Sequence, residues 1–387
     1  MEDASPAKWH LAHTSWFFET FILRDHVSSY RAFDEKFAYL FNSYYEAEGA
    51  RHARTSRGLL TRPSLDQISE YRAHVDVAIS GAAASLPVEA LELLELGLHH
   101  EQQHQELLLT DIKHLFAQNP LYPALWPKAD LPDAIPNIPE ITWHEGPTGL
   151  AAIGHEGDGF AFDCEGPRHD VLLHPYALAS RTVTNGEWTA FIDDGGYSDA
   201  SLWLSDGWAW VNKEGIQAPL YWQMSDKSGW QSFGLDGLAA LNPSAPVTHI
   251  SLYEADAYAS WAARKTDGVR LPTEAEWESM AQAMSPASGN QLDQAGPVAP
   301  AVSSDEPLSD LFGNVWEWTG SAYRPYPGFK AASGAVGEYN GKFMSGQFVL
   351  KGGSCATARG HMRACYRNFF YPHHRWQFTG LRLARDI

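Results

Sequence analysis

Between Asn119 and Glu140 the chain reads NPLYPALWPKADLPDAIPNIPE, with six prolines in 22 residues. Proline lacks a backbone N–H and fixes φ, so neither a helix interior nor a central strand runs through such a stretch. The chain therefore divides here, into residues 1–125, a proline-rich linker at 126–140, and residues 141–387. A length of 387 residues exceeds what one compact core usually serves and agrees with two or three domains.

Upstream of the break, hydrophobic spacing is helical in WHLAHTSWFFETFILRDH, SLDQISEYRAHVDVAISGAAASL and VEALELLELGLHHEQQHQELLLTDIKHLF. Pro63-Ser64 and Pro87-Val88 stand where helices begin. Three or four helices joined by loops predict a bundle. Downstream come short strand-like pieces, DVLLHPYALA and FVLKGGSC, many glycines and tryptophans, and two convincing helices, TNGEWTAFIDDGG and SLYEADAYASWAARKT. This part reads as an irregular α+β domain rich in loops, without a fixed-period repeat. Fifteen tryptophans and sixteen tyrosines suit either pockets for flat or cationic ligands or the cores of loop-rich folds.

A formal net charge of −19 opposes binding to nucleic-acid phosphates or anionic membranes, which leaves small-molecule chemistry. No stretch reaches the roughly 18 uninterrupted apolar residues of a membrane span. The start, MEDASPAKWHLAH, has no basic run followed by an apolar signal core. Cys164, Cys355 and Cys365 lack the paired spacings of a zinc knuckle or disulfide scaffold, so a cytoplasmic location is expected. An oligomer is compatible with these features.

The segment LHHEQQHQELLLTDIKH carries the densest chemistry. His100 and His104 are four apart, on one helix face, and can grip a single ion. Gln103 falls on nearly the same side. His10 or His13, among large apolar residues in WHLAHTSWFF, could supply a third imidazole, since bundle cores build metal sites from facing helices. The same residues spell HExxH, in which Glu101 would be the general base of a zinc hydrolase. The HxxGxxH extension of that class is missing. Surface helices also carry histidines, so spacing leaves these readings open.

Between the helices, FNSYYEAEGARHARTSRGLLTRPSL places Tyr44 next to Tyr45 and gathers Arg51, Arg54, Arg57 and Arg62 in an otherwise acidic chain. A phenol can donate a proton or an electron. The arginines suit a carboxylate-bearing substrate, or balance Glu46, Glu48 and Asp66 on the surface.

Taken together, KWHLAHTSWFFETF, LFNSYYEAEGARHARTSRGLLTRPS and LGLHHEQQHQELLLTDIKH resemble the N-terminal half of the ergothioneine-pathway sulfoxide synthases, non-haem iron enzymes with a DinB-like helical bundle. RTVTNGEWTAF, APVTHISLYEADAYASWA, VRLPTEAEWE, DLFGNVWEWTGSAY, VLKGGSCAT and RNFFYPHHRWQFTGLRLARD resemble their second domain, which has the formylglycine-generating-enzyme fold related to C-type lectins. The motifs follow in order over nearly the whole chain.

The resemblance implies that His13, His100 and His104 bind Fe(II), with Glu106 orienting a ligand and Glu101 an ordinary helix residue. It implies an oxidoreductase that uses O2 to join the sulfur of cysteine, or of γ-glutamylcysteine, to the imidazole C2 of N-α-trimethylhistidine (hercynine), and oxidises that sulfur to a sulfoxide. Tyr44 and Tyr45 would supply the proton, without a choice between them. Gln103, Tyr323 and Tyr326 would hold hercynine, whose quaternary ammonium suits aromatic faces. Arg54 and Arg57 would grip the thiol substrate's carboxylate. In RNFF, Asn368, Phe369 and Phe370 stand where γ-glutamylcysteine users carry RNWD, so cysteine is the expected donor. An ovothiol-type or selenium-donor synthase and a ligand-binding scaffold are the other readings. Relatives begin earlier than this chain, so a first bundle helix is expected to be missing. Without a paired-cysteine copper site, sulfatase activation is not expected.

Overall fold

The structure is a computed structural model that describes residues 4–127, 139–293, 307–332, 337 and 339–387. Residues 128–138 of the expected linker lie outside the described residues. The chain forms two compact units. The first contains the residues up to Leu115 together with described residues of Asp158–Asp163 and Lys330–Lys342. The second holds Phe116–Gly157, Cys164–Phe329 and Phe343–Ile387.

The first unit is helical: α1 (Ala7–Phe18), α2 (Arg24–His26), α3 (Phe37–Phe41), α4 (Leu65–Ala82) and α5 (Val88–Ala117). Trp9, His10, Ala12, His13, Thr14, Ser15, Trp16, Phe17 and Phe18 of α1 are all buried. A helix covered on nearly every side is a bundle's central helix rather than a one-faced surface helix. It continues through a π turn, Glu19–Leu23, where the buried Glu19 carboxylate accepts from the Tyr30 and Tyr71 hydroxyls at 2.5 and 2.7 Å. Helix α4 begins where Pro63-Ser64 indicates. The Ser64 hydroxyl accepts from the Gln67 N–H while Gln67 reaches back to the Ser64 N–H, a capping box that satisfies two otherwise orphaned donors. Helix α5 follows Pro87, and its Gly97 lets the Phe17 and Phe18 rings of α1 approach its backbone closely. Arg72 of α4 ties three helices: it donates to Leu11 O and Thr14 Oγ1 of α1, both at 2.9 Å, and to Glu101 of α5 at 2.7 Å.

The second unit is mixed. One antiparallel sheet orders Trp143–Glu145, Tyr176–Thr182, Arg382–Asp386 and Val269–Arg270. Another orders Asn368–Phe370, Phe348–Lys351, Trp316–Ala322 and Thr379–Gly380, the last pair parallel. A two-stranded and a three-stranded ribbon complete the strands. The two expected helices form, as α6 (Asn185–Asp193) and α8 (Leu252–Ala263). Two more, α7 (Ser205–Glu214) and α9 (Glu274–Ala281), exceed the sequence expectation. Trp188, Trp277, Trp318, Tyr176 and Tyr323 are fully buried, so much of the aromatic load fills this core. It also encloses charge: Arg382 pairs with Glu317 at 2.8 Å with both side chains fully covered, and donates to Ala179 O and Ser309 O. Trp277 Nε1 donates to the same carboxylate. Such a pair is tolerable because its lone pairs and protons find partners. Cys164, Cys355 and Cys365 are buried thiols.

Candidate metal centre

Helical spacing places His100 and His104 on one face of α5, and the burial of α1 turns His13 toward them. The three side chains each offer a ligand atom within 4.8 Å of the others, and among the described residues no other group of His, Cys, Asp or Glu does so. His13 is sandwiched between indoles, stacked on Trp9 at 4.6 Å and on Trp16 at 5.5 Å between ring centroids. Its Nδ1–H donates to Phe41 O at 2.6 Å, which leaves the lone pair on Nε2. That nitrogen, and both ring nitrogens of His100, are buried without a hydrogen-bond partner among the described residues.

Unpaired buried polar atoms are costly, and three imidazoles facing one another with spare lone pairs are what a metal ion would satisfy. Burial also keeps them neutral, the form that ligates. His100 is pushed down to about 3 by burial, and His13 and His104 well below the ordinary histidine value by burial and then by the neighbouring His100. The donor set fits a first-row transition metal such as Fe(II), with coordination positions left for substrates. Glu101, the general base of the zinc-hydrolase reading, is instead engaged by Arg72.

Tyr44 and Tyr45 stack at 4.8 Å. Tyr45 is fully buried, and its ring lies 5.5 Å from Trp16, which itself stacks on His13. Burial raises the Tyr44 pKa above the usual phenol value, with a hydrogen bond from Tyr45 opposing, so the phenol stays protonated at neutral pH. Arg57 is 3% exposed. Its guanidinium lies 3.4 Å over the Trp9 ring and donates to Ser5 Oγ and Ser43 Oγ, both at 3.1 Å. Burial, then the nearby Arg54 charge, lowers it to about 9. Arg54 is exposed.

Gln103 accepts from the hydroxyl of Tyr339, a residue the sequence reading did not select. Tyr339 is buried, stacks on Phe162 at 5.5 Å, and meets His100 edge-on at 5.6 Å. Phe160 stacks on His99 at 3.8 Å. No local pattern in GFAF or GEYNGKF announces these contacts, because the partners are distant in sequence. Tyr323, Tyr326, Asn368, Phe369 and Phe370 lie in the second unit. There Tyr323 stacks on Phe369 at 4.2 Å, Arg367 lies 4.0 Å over the Tyr326 ring, and the Tyr326 hydroxyl donates to Glu274 at 3.3 Å. Asn368 Oδ1 accepts from the Phe369 N–H, and the Phe370 ring lies 6.2 Å from that of His374.

Fold and site together define a class: a helical bundle with a three-histidine cluster, two of its members buried, joined in one chain to a sheet-rich domain. Residues 144–387 of that second part match the family model of the sulfatase-modifying factor enzyme 1-like domain. Over 99% of its length the chain is 32% identical to the hercynine oxygenase of Mycobacterium tuberculosis, covering 91% of that protein. It is 33% identical to that of Mycolicibacterium thermoresistibile, covering 88%. The formylglycine-generating enzyme of Thermomonospora curvata is 30% identical over 47% of this chain. The chain belongs to the hercynine oxygenase family.

Proposed function

We propose that this oxidoreductase joins the sulfur of cysteine to the imidazole C2 of hercynine and oxidises it to the sulfoxide, with Fe(II) held by His13, His100 and His104. The carrying observation is the convergence of three neutral imidazoles, His13 and His100 buried with unpaired nitrogens and His104 half-buried beside them, in a chain of the hercynine oxygenase family. The reaction consumes one thiol, one hercynine and one O2; a C–S bond replaces the S–H and the C2–H, one oxygen atom ends on sulfur, and the other leaves as water. Bound Fe(II) supplies the redox chemistry with O2 and a position for the thiolate.

The protein's own groups hold and shield. The aromatic walls around His13 exclude water from the cluster and fix that ring's plane. Gln103, its amide oriented by the Tyr339 hydroxyl, is a group of the kind that suits a hercynine imidazole nitrogen or carboxylate. Tyr44 keeps its phenolic proton at neutral pH, and one of the stacked pair Tyr44 and Tyr45 would supply a proton to the oxygen that departs as water. Arg54, exposed in this loop, and Arg57, which lies over Trp9 and donates to two serines, are the candidates to meet the thiol substrate's carboxylate. Tyr323 and Tyr326 would contribute aromatic faces to hercynine, and Phe370, in place of an acidic residue, favours cysteine over γ-glutamylcysteine.

The test is anaerobic reconstitution with Fe(II), followed by O2, hercynine and either thiol, with the product mass recorded. A conjugate of one hercynine and one cysteine carrying one added oxygen and two fewer hydrogens is expected. Thiol dioxygenation alone, or peptide cleavage with Zn(II), contradicts the proposal.

A further inference from the structure

Behind His104 stands His10, which the sequence reading offered only as an alternative to His13 for the third metal ligand. His10 Nδ1 lies 2.9 Å from His104 Nδ1, and His10 Nε2 lies 2.9 Å from Asp111 Oδ2. His10 and Asp111 are each 4% exposed. Two ring nitrogens form a hydrogen bond only when one carries a proton and the other a lone pair. The Asp111 carboxylate accepts only, and the same oxygen also takes the Ser5 N–H at 2.8 Å. A neutral His10 therefore carries its proton on Nε2, and its Nδ1 is a bare acceptor. His104 must then donate from Nδ1, which leaves its own lone pair on Nε2. The reverse arrangement, with His10 donating, would put the proton of a neutral His104 on Nε2 and forbid coordination through that nitrogen.

We propose that Asp111, His10 and His104 form a relay that fixes the tautomer of His104, so that Nε2 is the nitrogen it offers to the metal. His10 is a positioning residue and not a ligand. The inference rests on the metal-centre reading above. A free neutral imidazole carries its proton mostly on Nε2, so an unsupported His104 would present the wrong nitrogen. His13 reaches the required state by a different device, the Phe41 carbonyl. The far end of the relay is anchored as well: Arg57 donates to the Ser5 hydroxyl, and its charge lies near enough to Asp111 for the two to interact. Outer partners of this kind set both the orientation and the basicity of a ligating imidazole.

The experiment titrates Co(II) anaerobically into the metal-free full chain, following the visible absorption of the bound ion, with circular dichroism confirming that each variant is folded. His10→Phe keeps a ring of similar size but removes the acceptor, and is expected to weaken Co(II) binding by about 10- to 100-fold. His10→Asn places an amide oxygen near the position of Nδ1 and is expected to recover most of that loss. A long-range proton–nitrogen correlation on the metal-free protein supplies an independent readout: His104 should be protonated on Nδ1 in the wild type and on Nε2 in His10→Phe. Equal Co(II) affinity for wild type and His10→Phe overturns the relay alone, as does His10→Asn binding as weakly as His10→Phe. A wild-type protein that takes up no Co(II) overturns the metal-centre reading and the relay with it.

Discussion

His13 illustrates how little freedom the cluster leaves its members. Two indoles fix its ring plane and one carbonyl fixes its proton, so a single nitrogen is left to act. The candidate tyrosines are equally constrained, which separates their chemistry from metal binding: replacing both Tyr44 and Tyr45 by Phe keeps the stacked rings and removes only the hydroxyls. Coupled product should fall by about 10²- to 10⁴-fold while bound iron stays unchanged, as measured by product formation and metal analysis. The neutral imidazoles also carry a pH signature. A histidine held at about 3 in the fold but near 6.5 in the unfolded chain stabilises the fold fully above pH 6.5 and loses that contribution as pH falls toward 3. The melting temperature of the metal-free protein should therefore drop steadily between pH 6.5 and 4. At this scale the His100–His104 pair was legible, because helical spacing alone places both on one face. His10 and His13 were not separable by spacing, since residues three apart on a buried helix both face partners.

Between elements, the decisive feature is how closely α1 packs on α5. A methyl group at Gly97 would collide with the Phe18 ring, whose neighbour Phe17 is fully buried. Overpacking of this kind costs about 1–3 kcal/mol, more than the roughly 1 kcal/mol that alanine contributes to helix propensity. Gly97→Ala should accordingly lower the urea midpoint of the first unit. Helix starts were readable where chemistry marks them, as at Ser64 with Gln67 or Ser251 with Glu254, both complete capping boxes. Helix α7 escaped notice because its N-cap, Leu204, makes no side-chain cap and its SDGWAWVNKE sequence is polar on average. Helix α9 had a readable box, Thr273 with Glu276, but is only eight residues long.

At the scale of the molecule, the proline-rich break announced a helical part followed by a mixed part, and ordered motifs indicated what kind each is. What the sequence could not disclose is that residues of Asp158–Asp163 and Lys330–Lys342 belong to the helical unit, since the Tyr339–Gln103 contact joins positions 236 apart. The buried pairs of the second unit were equally hidden, because two charges far apart in sequence give no local signal. Arg382→Met should destabilise that unit by about 3–5 kcal/mol, since it leaves Glu317 buried and uncompensated, and thermal unfolding would report it. The central claim, a single redox metal gripped by imidazoles from α1 and α5, is tested most directly by an anaerobic crystal structure of the Fe(II)-loaded protein with anomalous data at the iron edge. One strong peak within bonding distance of His13, His100 and His104, with His10 behind His104, is the expected result. A peak elsewhere, or one bonded to His10 while His13 stands apart, would contradict it.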